Sequence, residues 1–515
     1  MGNNAKRIDC DVLVVGGGIN GAGIARDASG RGLRVLLCEK DDLAQHTSSA
    51  SSKLIHGGLR YLEQYHFGLV RKALAEREVL LKSGPHIMHP LRFIMPHTAG
   101  QRPAWLIRMG LFLYDHLARR DFLPGSEALS LLGHPAGVPL QPRFAHAFAY
   151  SDAWVDDARL VVLAAVDARD RGANVLTRTR CTALVREPQR WIATLQGPDG
   201  ELRVHARCLV NAAGPWAAGF LGTATGKPGA ARTLRLVKGS HIVLPRLFEH
   251  DSAYILQQPD GRIVFAIPYE GQFTLVGTTD SDYHGDPDRV AIDAAEIDYL
   301  CAAVNRAFAQ RVAPKDVVWT YAGVRPLIGD EGASASNASR DYRLETNLDG
   351  APLLSVFGGK LTTFRKLAEQ AVDWVAPALG RRVPGWTDKA CLPGGDLFGR
   401  RPSARSVLEF DAWTRTRQQQ YAGLPPALVA RYARAYGTRL SAMLGHRRSR
   451  ADLGEEIVPG LFEVEADWLV KQEWAQTVED ILWRRTKLGL HIPPGGERRL
   501  EMWLAARRGV PLPAA

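Results

Sequence analysis

A glycine-rich turn near the amino terminus has the residue types and the spacing of a dinucleotide site. Gly16, Gly18 and Gly21 stand in a G-x-G-x-x-G pattern directly after an apolar run that ends at Val15. The first glycine permits the tight turn, the second lets the backbone approach a pyrophosphate, and the third lets helix and strand pack closely. The helix predicted to follow would offer free N–H groups and a partial positive charge to the phosphates.

An acidic residue completes this pattern. Glu39 follows a second apolar run, Arg34 to Cys38, so that residues 8 to 40 read as a β-α-β unit. An acidic side chain about 20 positions after the turn accepts hydrogen bonds from an adenosine ribose and repels the extra phosphate of NADP. The chemistry predicted is the binding of a dinucleotide without a 2′-phosphate.

A run of small hydroxyl side chains comes next and is unlike a plain NAD domain. From His46 to Lys53 the chain reads HTSSASSK. Hydroxyl and backbone donors beside a dinucleotide would serve a pyrophosphate or a flavin ring. Composition alone fits a surface loop equally well.

The elements that must position these residues belong to a chain long enough for two or three domains, at 515 residues. Its six cysteines are scattered without a C-x-x-C pair, which argues against a zinc site or a disulfide framework and favours a reducing compartment. We predict no metal site. The first strand begins too early to leave room for a signal peptide, and no apolar run approaches the ~18 residues of a membrane span.

The formal net charge of +11 indicates either an anionic partner or a solvated basic surface. Arginine is spread along the whole chain, which disfavours nucleic acid as the partner. An anionic membrane surface and an anionic substrate both remain open.

Helices are predicted at 69–83, at 156–172 and from Pro103 through Arg120. The helix after Pro103 is apolar around most of its circumference, so it is either buried in the protein or docked on a bilayer, and burial is the favoured interpretation. Residues 121–150 read as loop.

Strand-like runs fill 174–210 and 233–280, and the second block predicts an antiparallel substrate sheet inserted into the nucleotide domain. A buried strand at 351–359 leads through a double glycine to Lys360 and an amphipathic helix, whose apolar face we expect in the core. Beyond Cys391 the chain becomes helical. There, Thr477 and Asp480 have the spacing of a capping box.

Six segments in one order extend the match beyond a general fold. After the glycine turn they read TSSASSKLIHGGLRYLE (47–63), YSDAWVDDARL (150–160), VKGSHIV (237–243), YAGVRPL (321–327) and SVFGGKLTTFRKLAE (355–369). Together they closely resemble the FAD-dependent, aerobic glycerol-3-phosphate dehydrogenases over nearly the whole chain. Two departures are visible: Phe364 stands where the family usually has tyrosine, and Ala213 where it or its neighbour is often threonine.

The resemblance implies an α/β fold with a discontinuous Rossmann-like FAD-binding domain, an inserted antiparallel-sheet substrate domain and a C-terminal helical domain. The expected segments are 1–85, 151–230 and 326–385 for the FAD domain, 86–150 for a substrate or cap segment, 231–325 for the substrate sheet, and 390–515 for the helical domain.

It also implies oxidation of sn-glycerol 3-phosphate to dihydroxyacetone phosphate, with electrons passing through FAD to ubiquinone or menaquinone. The implied location is the cytoplasm, with peripheral attachment to the inner face of the cytoplasmic membrane. The alternatives are an oxygen-using glycerol-3-phosphate oxidase, a basic flavoprotein acting on nucleic acid, and a catalytically silent flavin binder on a membrane. The oligomeric state is open, and a homodimer is compatible with the sequence.

A substrate phosphate carries nearly two charges at neutral pH and is best held by the planar fork of arginine. By similarity to the family, the substrate contacts are Arg60, Tyr61, Thr278, Thr279, Arg325 and Lys360. A proton must leave the C2 hydroxyl, and His241 is the first candidate acceptor, with His56 as the alternative. Arg325 would also stabilise a developing alkoxide.

The resemblance assigns a larger set of residues to FAD. Lys360 has its own rationale, because a cation at a helix start can compensate charge that develops near N1 and C2=O of a reduced flavin. The full set is Gly16, Gly18, Asn20, Gly21, Glu39, Thr47, Ser48, Ser49, Ser52, Lys53, Leu54, His56, Ala213, Gly214, Gly359, Lys360, Leu361 and Thr362.

Overall fold

A computed structural model describes residues 6–63, 65–98, 101–225, 234–328 and 341–508. Its strands are β1 (Lys6–Val15), β2 (Val35–Cys38), β3 (Leu54–Ile55), β4 (Met88–His97), β5 (Glu127–Ser130), β6 (His146–Val155), β7 (Asn174–Leu176), β8 (Arg180–Arg186), β9 (Trp191–Gly197), β10 (Gly200–Asn211), β11 (Leu234–Pro245), β12 (Ala253–Gln257), β13 (Ile263–Tyr269), β14 (Phe273–Gly277), β15 (Ser281–Asp282), β16 (Trp319–Ile328), β17 (Arg343–Asn347), β18 (Leu353–Phe357), β19 (Glu456–Val458) and β20 (Leu461–Phe462).

The α-helices are α1 (Ile19–Gly30), α2 (Phe67–Ser83), α3 (Ala104–His116), α4 (Asp157–Asp170), α5 (Ala217–Thr225), α6 (Ala294–Ala307), α7 (Phe364–Ala378), α8 (Ala404–Leu408), α9 (Phe410–Gln420), α10 (Pro426–Tyr436), α11 (Leu440–Leu444), α12 (Glu463–Glu473) and α13 (Gly496–Arg508). Short 3₁₀ turns and one π-helical turn, Asp480–Arg485, connect them.

The first sheet is the nucleotide-binding layer. Its strand order is β17-β18-β10-β1-β2-β7, with β9 also paired to β10 and β8 to β9. The pairs that β1 makes with β2 and β10 are parallel, as are β10 with β18 and β2 with β7. Helix α1 packs against α4 and α7 in the largest buried cluster. Because strands from both ends of the range 6–357 meet here, this domain is discontinuous.

The second sheet is mostly antiparallel. Its order is β15-β11-β14-β13-β12-β4-β6-β3, with β16 beside β11 and β5 beside β6. It takes strands from 54–155 as well as from 234–328. Part of the stretch 121–150 therefore forms strands, and the expectation of loop throughout it is wrong.

Helix α3 is not buried, which corrects the favoured expectation for this segment. Leu111 and Tyr114 pack inward, whereas Trp105 is 67% exposed and Phe112 60%. Met109, Leu106 and Leu113 are also exposed. In contrast, the apolar face of α7 lies in the core as expected, from Phe364 to Val375. Among the described helices, none is both long and apolar enough to cross a membrane.

The C-terminal region has a hydrophobic core of its own, built around Trp413, Tyr432, Tyr436 and Leu440. The predicted capping box is present at the start of the π-helical turn. Asp480 N donates to Thr477 Oγ1 over 3.2 Å, and Thr477 N donates to Asp480 Oδ2 over 3.0 Å. The side chain of Asp480 thereby orders the turn that follows it.

Candidate functional site

The turn between β1 and α1 cannot accommodate side chains at two of its glycines. Gly16 has a φ of +112°, and a Cβ there would lie 2.4 Å from Ala212 O. A Cβ on Gly21 would lie 1.8 Å from Gly16 O. The backbone therefore bends as a dinucleotide turn must, and Gly18 N-caps α1 with extended backbone.

A cavity of about 350 Å³ opens at this turn. Its lining contains seven of the residues assigned to the cofactor: Gly16, Gly18, Glu39, Thr47, Ser48, Ala213 and Gly214. Lys40, His46, Thr179 and Trp216 line it as well. The cavity thus joins the glycine turn to the end of β2, which are the two places from which a site of this kind contacts a dinucleotide.

Glu39 is fixed at one end of this cavity. Its carboxylate accepts hydrogen bonds from Gly17 N over 2.6 Å and from Asp41 N over 2.9 Å. Burial raises the pKa of Glu39 and outweighs these two donors, which lower it. A ribose hydroxyl would find a pre-oriented acceptor here.

Glu39, Asp41 and His46 also bring three potential metal-ligand atoms within 4.8 Å of one another. Asp41 is already paired with His46 Nε2 at 2.7 Å and with Lys40 Nζ at 2.8 Å. These partners hold the pKa of Asp41 below its usual range, His46 most strongly. Two of the three groups, Asp41 and His46, are thus already engaged with each other, and Asp41 also with Lys40.

Asn20, near the start of α1, has a buried side-chain oxygen that a bound cofactor could satisfy. Its Nδ2 donates to Gly358 O over 3.1 Å, which ties α1 to the double-glycine turn after β18. Its Oδ1 is buried and has no hydrogen-bond partner within the described residues. A buried acceptor of this kind is costly unless a ligand or water satisfies it. The residues present therefore fit the predicted cofactor.

The hydroxyl-rich loop mostly builds the site's framework. Ser48 Oγ accepts from Ile19 N at the start of α1 (3.0 Å), and Thr47 Oγ1 donates to Val324 O in β16 (2.7 Å). Ser49 Oγ donates only within its own turn, to His46 O over 3.4 Å. The loop thus connects the two sheets at the point where the cofactor cavity ends.

Lys53 and Leu54 have structural surroundings. The Lys53 ammonium is buried and lies 2.7 Å from Asp157 Oδ1, and it also donates to Ser49 O. Leu54 is buried in β3. Their side chains are occupied within the protein. The backbone of Lys53 is also occupied, because its N donates to Ser51 Oγ and its O accepts from Val155 N.

The Gly-Gly-Lys turn meets the loop around His56. Thr362 Oγ1 accepts from His56 N over 3.1 Å, and Lys360 Nζ lies 3.7 Å from the centroid of the Tyr61 ring. Gly359 has a φ of +108°, which favours glycine. Leu361 is half-buried against the core. Arg60 belongs to the turn Leu59–Leu62, but its side chain lies outside the described residues.

His241 and Arg325 share one face of the second sheet. In the pairing of β11 with β16, His241 lies opposite Tyr321 and Val237 opposite Arg325, so both functional side chains occupy positions of the same parity. Gly239 stands between them, and a Cβ there would lie 2.7 Å from Arg325 Nη2 and from Thr278 Oγ1. Only glycine leaves room for the arginine to lie across the strand.

Arg325 has a carboxylate partner that the sequence analysis missed. Its Nη1 pairs with Asp280, and its Nη2 donates to Thr278 Oγ1 over 3.2 Å. Asp280 directly follows Thr278 and Thr279, which were assigned to the substrate. Its position next to them was the sequence feature that could have identified it. Asp280 orients the guanidinium fork, and its pairing leaves the fork in one defined position.

His241 is an uncharged acceptor. Burial, followed by the charges of Arg325 and Lys53, lowers its pKa well below 6.5. Its Nε2 lies 2.9 Å from Ser52 Oγ, its ring stacks on Tyr321, and its Nδ1 has no hydrogen-bond partner in the part of the chain described. A neutral imidazole with one free ring nitrogen can accept a proton.

Thr279 is placed behind this face. Its hydroxyl donates to Glu296 over 2.8 Å and accepts from Ser240 N over 2.9 Å. Ser240 precedes His241 and so points to the opposite side of the sheet. The structure therefore brings Thr278, but not Thr279, to the face of His241 and Arg325, and gives Thr279 and Glu296 the task of supporting that strand.

Comparison with known proteins identifies related families and a related fold. Residues 11–365 match the family described as FAD dependent oxidoreductase, and residues 386–501 match the C-terminal domain of alpha-glycerophosphate oxidase. A solved glycerol-3-phosphate dehydrogenase from Bacillus halodurans, in complex with FAD, superposes with a TM-score of 0.77 at 27% identity, covering 97% of this chain and 91% of that one. The expected fold class is confirmed.

Curated relatives are considerably more similar in sequence. The chain is 53% identical to a glycerol-3-phosphate dehydrogenase of Pseudomonas aeruginosa over 96% of its length and 94% of the relative's. It is 48% identical to the aerobic glycerol-3-phosphate dehydrogenase of Escherichia coli and 47% identical to a D-erythritol 1-phosphate dehydrogenase of Brucella abortus. Each of these two alignments covers 96% of this chain and 97% of the relative.

Proposed function

Because the chain belongs to the FAD-dependent glycerol-3-phosphate dehydrogenases, within the larger family of FAD-dependent oxidoreductases, we propose that it oxidises sn-glycerol 3-phosphate to dihydroxyacetone phosphate. The observation that carries the proposal is the shared sheet face on which neutral His241 stands beside the fixed cation of Arg325. One supplies a proton acceptor and the other an anion-binding fork.

The reaction removes two electrons and two protons from the C2 carbinol of the substrate. Bound FAD supplies a two-electron acceptor for the hydride that leaves C2. The proton on the C2 hydroxyl passes to His241. In the tautomer in which Nε2–H donates to Ser52 Oγ, the lone pair of Nδ1 accepts this proton. Proton removal as the hydride leaves prevents an oxocarbenium-like charge from building up at C2.

Arg325 binds the anionic substrate. Asp280 and Thr278 hold two of its nitrogens, so the guanidinium is oriented before substrate arrives. Pre-orientation reduces the entropy cost of each hydrogen bond that the fork makes to a phosphate oxygen. Lys360, whose ammonium lies over the Tyr61 ring, is the second proposed cation of the substrate site. Arg60 belongs to the same proposed site.

Anaerobic titration of the flavin-loaded protein tests this proposal. We expect sn-glycerol 3-phosphate to bleach the flavin absorbance with one equivalent of dihydroxyacetone phosphate formed, and D-erythritol 1-phosphate to bleach it at a higher concentration. Preferential reduction by the four-carbon substrate would transfer the assignment to the activity named for the Brucella relative. A flavin that neither polyol phosphate reduces would refute the proposal.

The electron acceptor is proposed to be a membrane quinone, ubiquinone or menaquinone. After reduction of the flavin, a short-chain quinone should reoxidise it at a rate no lower than the steady-state turnover rate. Air should reoxidise it slowly. Stoichiometric peroxide production in air at the turnover rate would instead indicate an oxidase. This readout is independent of the substrate assignment, because the reductive half-reaction is complete before the acceptor is added.

Attachment to the inner face of the cytoplasmic membrane is proposed to occur through α3. Trp105, Met109 and Phe112 present exposed apolar surface on this helix, and Arg108 adds a cation beside them. Exposed aromatic and aliphatic side chains next to basic ones are typical of helices that lie in a membrane interface. The competing helix α7 is excluded because its apolar face is buried.

Sedimentation with vesicles of phosphatidylglycerol and phosphatidylcholine tests the role of α3. The double variant Trp105→Ser, Phe112→Ser should lose most vesicle binding while still reducing its flavin with soluble substrate. Leu408→Ser, which removes an equally exposed apolar side chain from α8, should bind like the parent protein. Unchanged binding of the α3 variant would place the docking surface elsewhere.

A further inference from the structure

The loop that follows Glu39 is held from outside the nucleotide domain. Lys40, Ala44, Gln45 and His46 of this loop line the cofactor cavity, but Asp42 points away from it and is completely buried. Asp42 Oδ2 accepts from Arg484 Nε and from Arg485 Nη1, each over 2.6 Å, and Asp42 Oδ1 accepts from Arg485 Nη2 over 2.8 Å. Both arginines belong to the C-terminal region.

These arginines are themselves fixed by the π-helical turn Asp480–Arg485. Arg484 Nη2 donates to Asp480 Oδ1 over 2.5 Å, and Arg485 Nη2 donates to Glu473 O over 2.7 Å. Asp480 is capped by Thr477. Burial acts to raise the pKa of Asp480, but the surrounding arginines hold it below its usual range, so the carboxylate stays charged.

The same carboxylate reaches a second part of the cavity wall. Asp480 Oδ2 accepts from Arg178 Nη2 over 2.7 Å. Arg178 N donates to Asp41 O over 2.8 Å, and Thr179 N donates to Glu39 O over 2.7 Å. Thr179 lines the cavity. Two segments that shape the cavity around Glu39 are therefore both bonded to one turn of the C-terminal region.

We propose that the turn Asp480–Arg485 positions the cofactor-binding loop 39–46 through Asp42 and Arg178, and so governs how tightly FAD is retained. Asp42, Arg484 and Arg485 do not line the cavity, and neither does any other described residue of the C-terminal region. They are therefore positioning residues, which act on the cofactor through the loop. The inference concerns the cofactor and is independent of which substrate the protein oxidises.

The physical reason is the cost of an unpaired buried charge. Asp42 and Arg485 are both fully buried and form an ion pair, to which Arg484 adds a hydrogen bond on the carboxylate. Loss of one partner leaves a charge in a medium of low polarity, and the chain can relieve it only by moving a segment toward water. The loop 39–46 would move, since its other side faces the cavity.

The rate of FAD release from the holoprotein measures this positioning. After dilution, the rise in flavin fluorescence follows release, and tryptophan fluorescence reports whether the fold persists. We expect Asp42→Asn to release FAD at least about tenfold faster than the parent protein at a temperature where both stay folded.

Glu465→Gln is the matched control. Glu465 is another fully buried carboxylate of the C-terminal region, paired with Arg431 and hydrogen-bonded by Tyr436, and among the described residues it does not contact Asp42, Arg484 or Arg485. This variant should lose a similar amount of thermal stability but release FAD within about twofold of the parent rate. Equal acceleration in both variants would mean that release merely follows stability, and would overturn the proposal.

Arg485→Lys and Arg484→Lys provide readouts should Asp42→Asn fail to fold. Each retains a positive charge but loses the fork geometry, so we expect intermediate release rates from folded protein. The double variant Arg485→Lys, Asp42→Asn should accelerate FAD release by less than the product of the two single-variant factors, because both substitutions weaken the same interaction. Parent-like release from both lysine variants would contradict the proposal.

Discussion

At the scale of single residues, the site depends on groups whose charge is set by their neighbours. His241 is neutral because it is buried beside two cations, and Arg325 is held in place by Asp280 and Thr278. Phe364, where the family usually has tyrosine, is buried and packs against α1 at Gly23. The phenyl ring is thus accommodated by ordinary core packing.

Arg325→Ala should leave FAD bound and raise the substrate KM by about 10- to 100-fold, the range expected for a lost charge-assisted hydrogen bond of ~1.5–3 kcal/mol. Asp280→Asn should shift KM in the same direction by a smaller factor, because the fork remains but loses its orientation. Steady-state kinetics check both. Arg235→Ala is the control, since Arg235 pairs with Asp282 at the end of the neighbouring strand β11. An unchanged KM in Arg325→Ala would remove this residue from the anion site.

His241→Ala should slow flavin reduction by about 100-fold or more, the usual contribution of a positioned base. In the parent protein the limiting reduction rate should be flat from neutral pH down to pH 6.5. It should fall only at lower pH, because the lowered pKa keeps the imidazole unprotonated until then. Stopped-flow measurements at saturating substrate separate this effect from protonation of the substrate phosphate. A midpoint near 6.5 would indicate an exposed histidine as the base.

At the level of elements, helices α3 and α7 both carry large apolar surfaces, but only the apolar surface of α7 is covered. Helix α7 begins at the cofactor turn and packs directly on α1, so its apolar face is covered. Helix α3 leaves the second sheet after β4 and has only Leu111 and Tyr114 to bury. The hydrophobic pattern identifies both helices, but only the surrounding elements decide which face solvent reaches.

Gly18→Val should abolish FAD retention, because the added side chain occupies the space in which the backbone approaches the pyrophosphate. A Cβ at this position already lies 3.0 Å from Ser48 Oγ. The purified variant should therefore be colourless with a parent-like circular dichroism spectrum. Gly68→Ala in α2 serves as the control, as nothing lies within 4 Å of the added atom. A yellow Gly18→Val protein would contradict the assignment of this turn.

At the scale of the whole molecule, buried ion pairs join the C-terminal region to the nucleotide domain. Arg159 pairs with Glu473, Arg485 with Asp42 and Lys487 with Asp156. The two members of each pair are separated by hundreds of residues in the sequence. Acid, or the loss of one member, should therefore destabilise both regions together. His86 lies in this contact zone, buried against Gly394 and Gly437, with its pKa lowered to about 3 by burial and nearby arginines.

Stability should consequently decrease as the pH falls from 6.5. The unfolded chain protonates His86 near pH 6.5 whereas the folded protein does so only near pH 3, so acid favours unfolding over this window. Each pH unit within it costs roughly 1.4 kcal/mol for one such group. Urea unfolding at pH 7 and pH 5 measures the effect, and His86→Asn should reduce the difference. An equal difference in parent and variant would assign the acid sensitivity to other groups.

Features that depend on local backbone and side-chain geometry could be predicted from the sequence alone. The glycine turn with Glu39, the strand into Gly358-Gly359-Lys360 and the capping box of Thr477 with Asp480 are each encoded within a few residues, because turns and caps satisfy their own hydrogen bonds. Family resemblance added His241 and Arg325. Five features became evident only from the folded chain: the exposure of α3, the edge strand β5, the partner of Arg325, the side of the sheet on which Thr279 lies, and the contact of Asp42 with Arg485. These features depend on which distant segments pack together, and neither periodicity nor spacing carries that information.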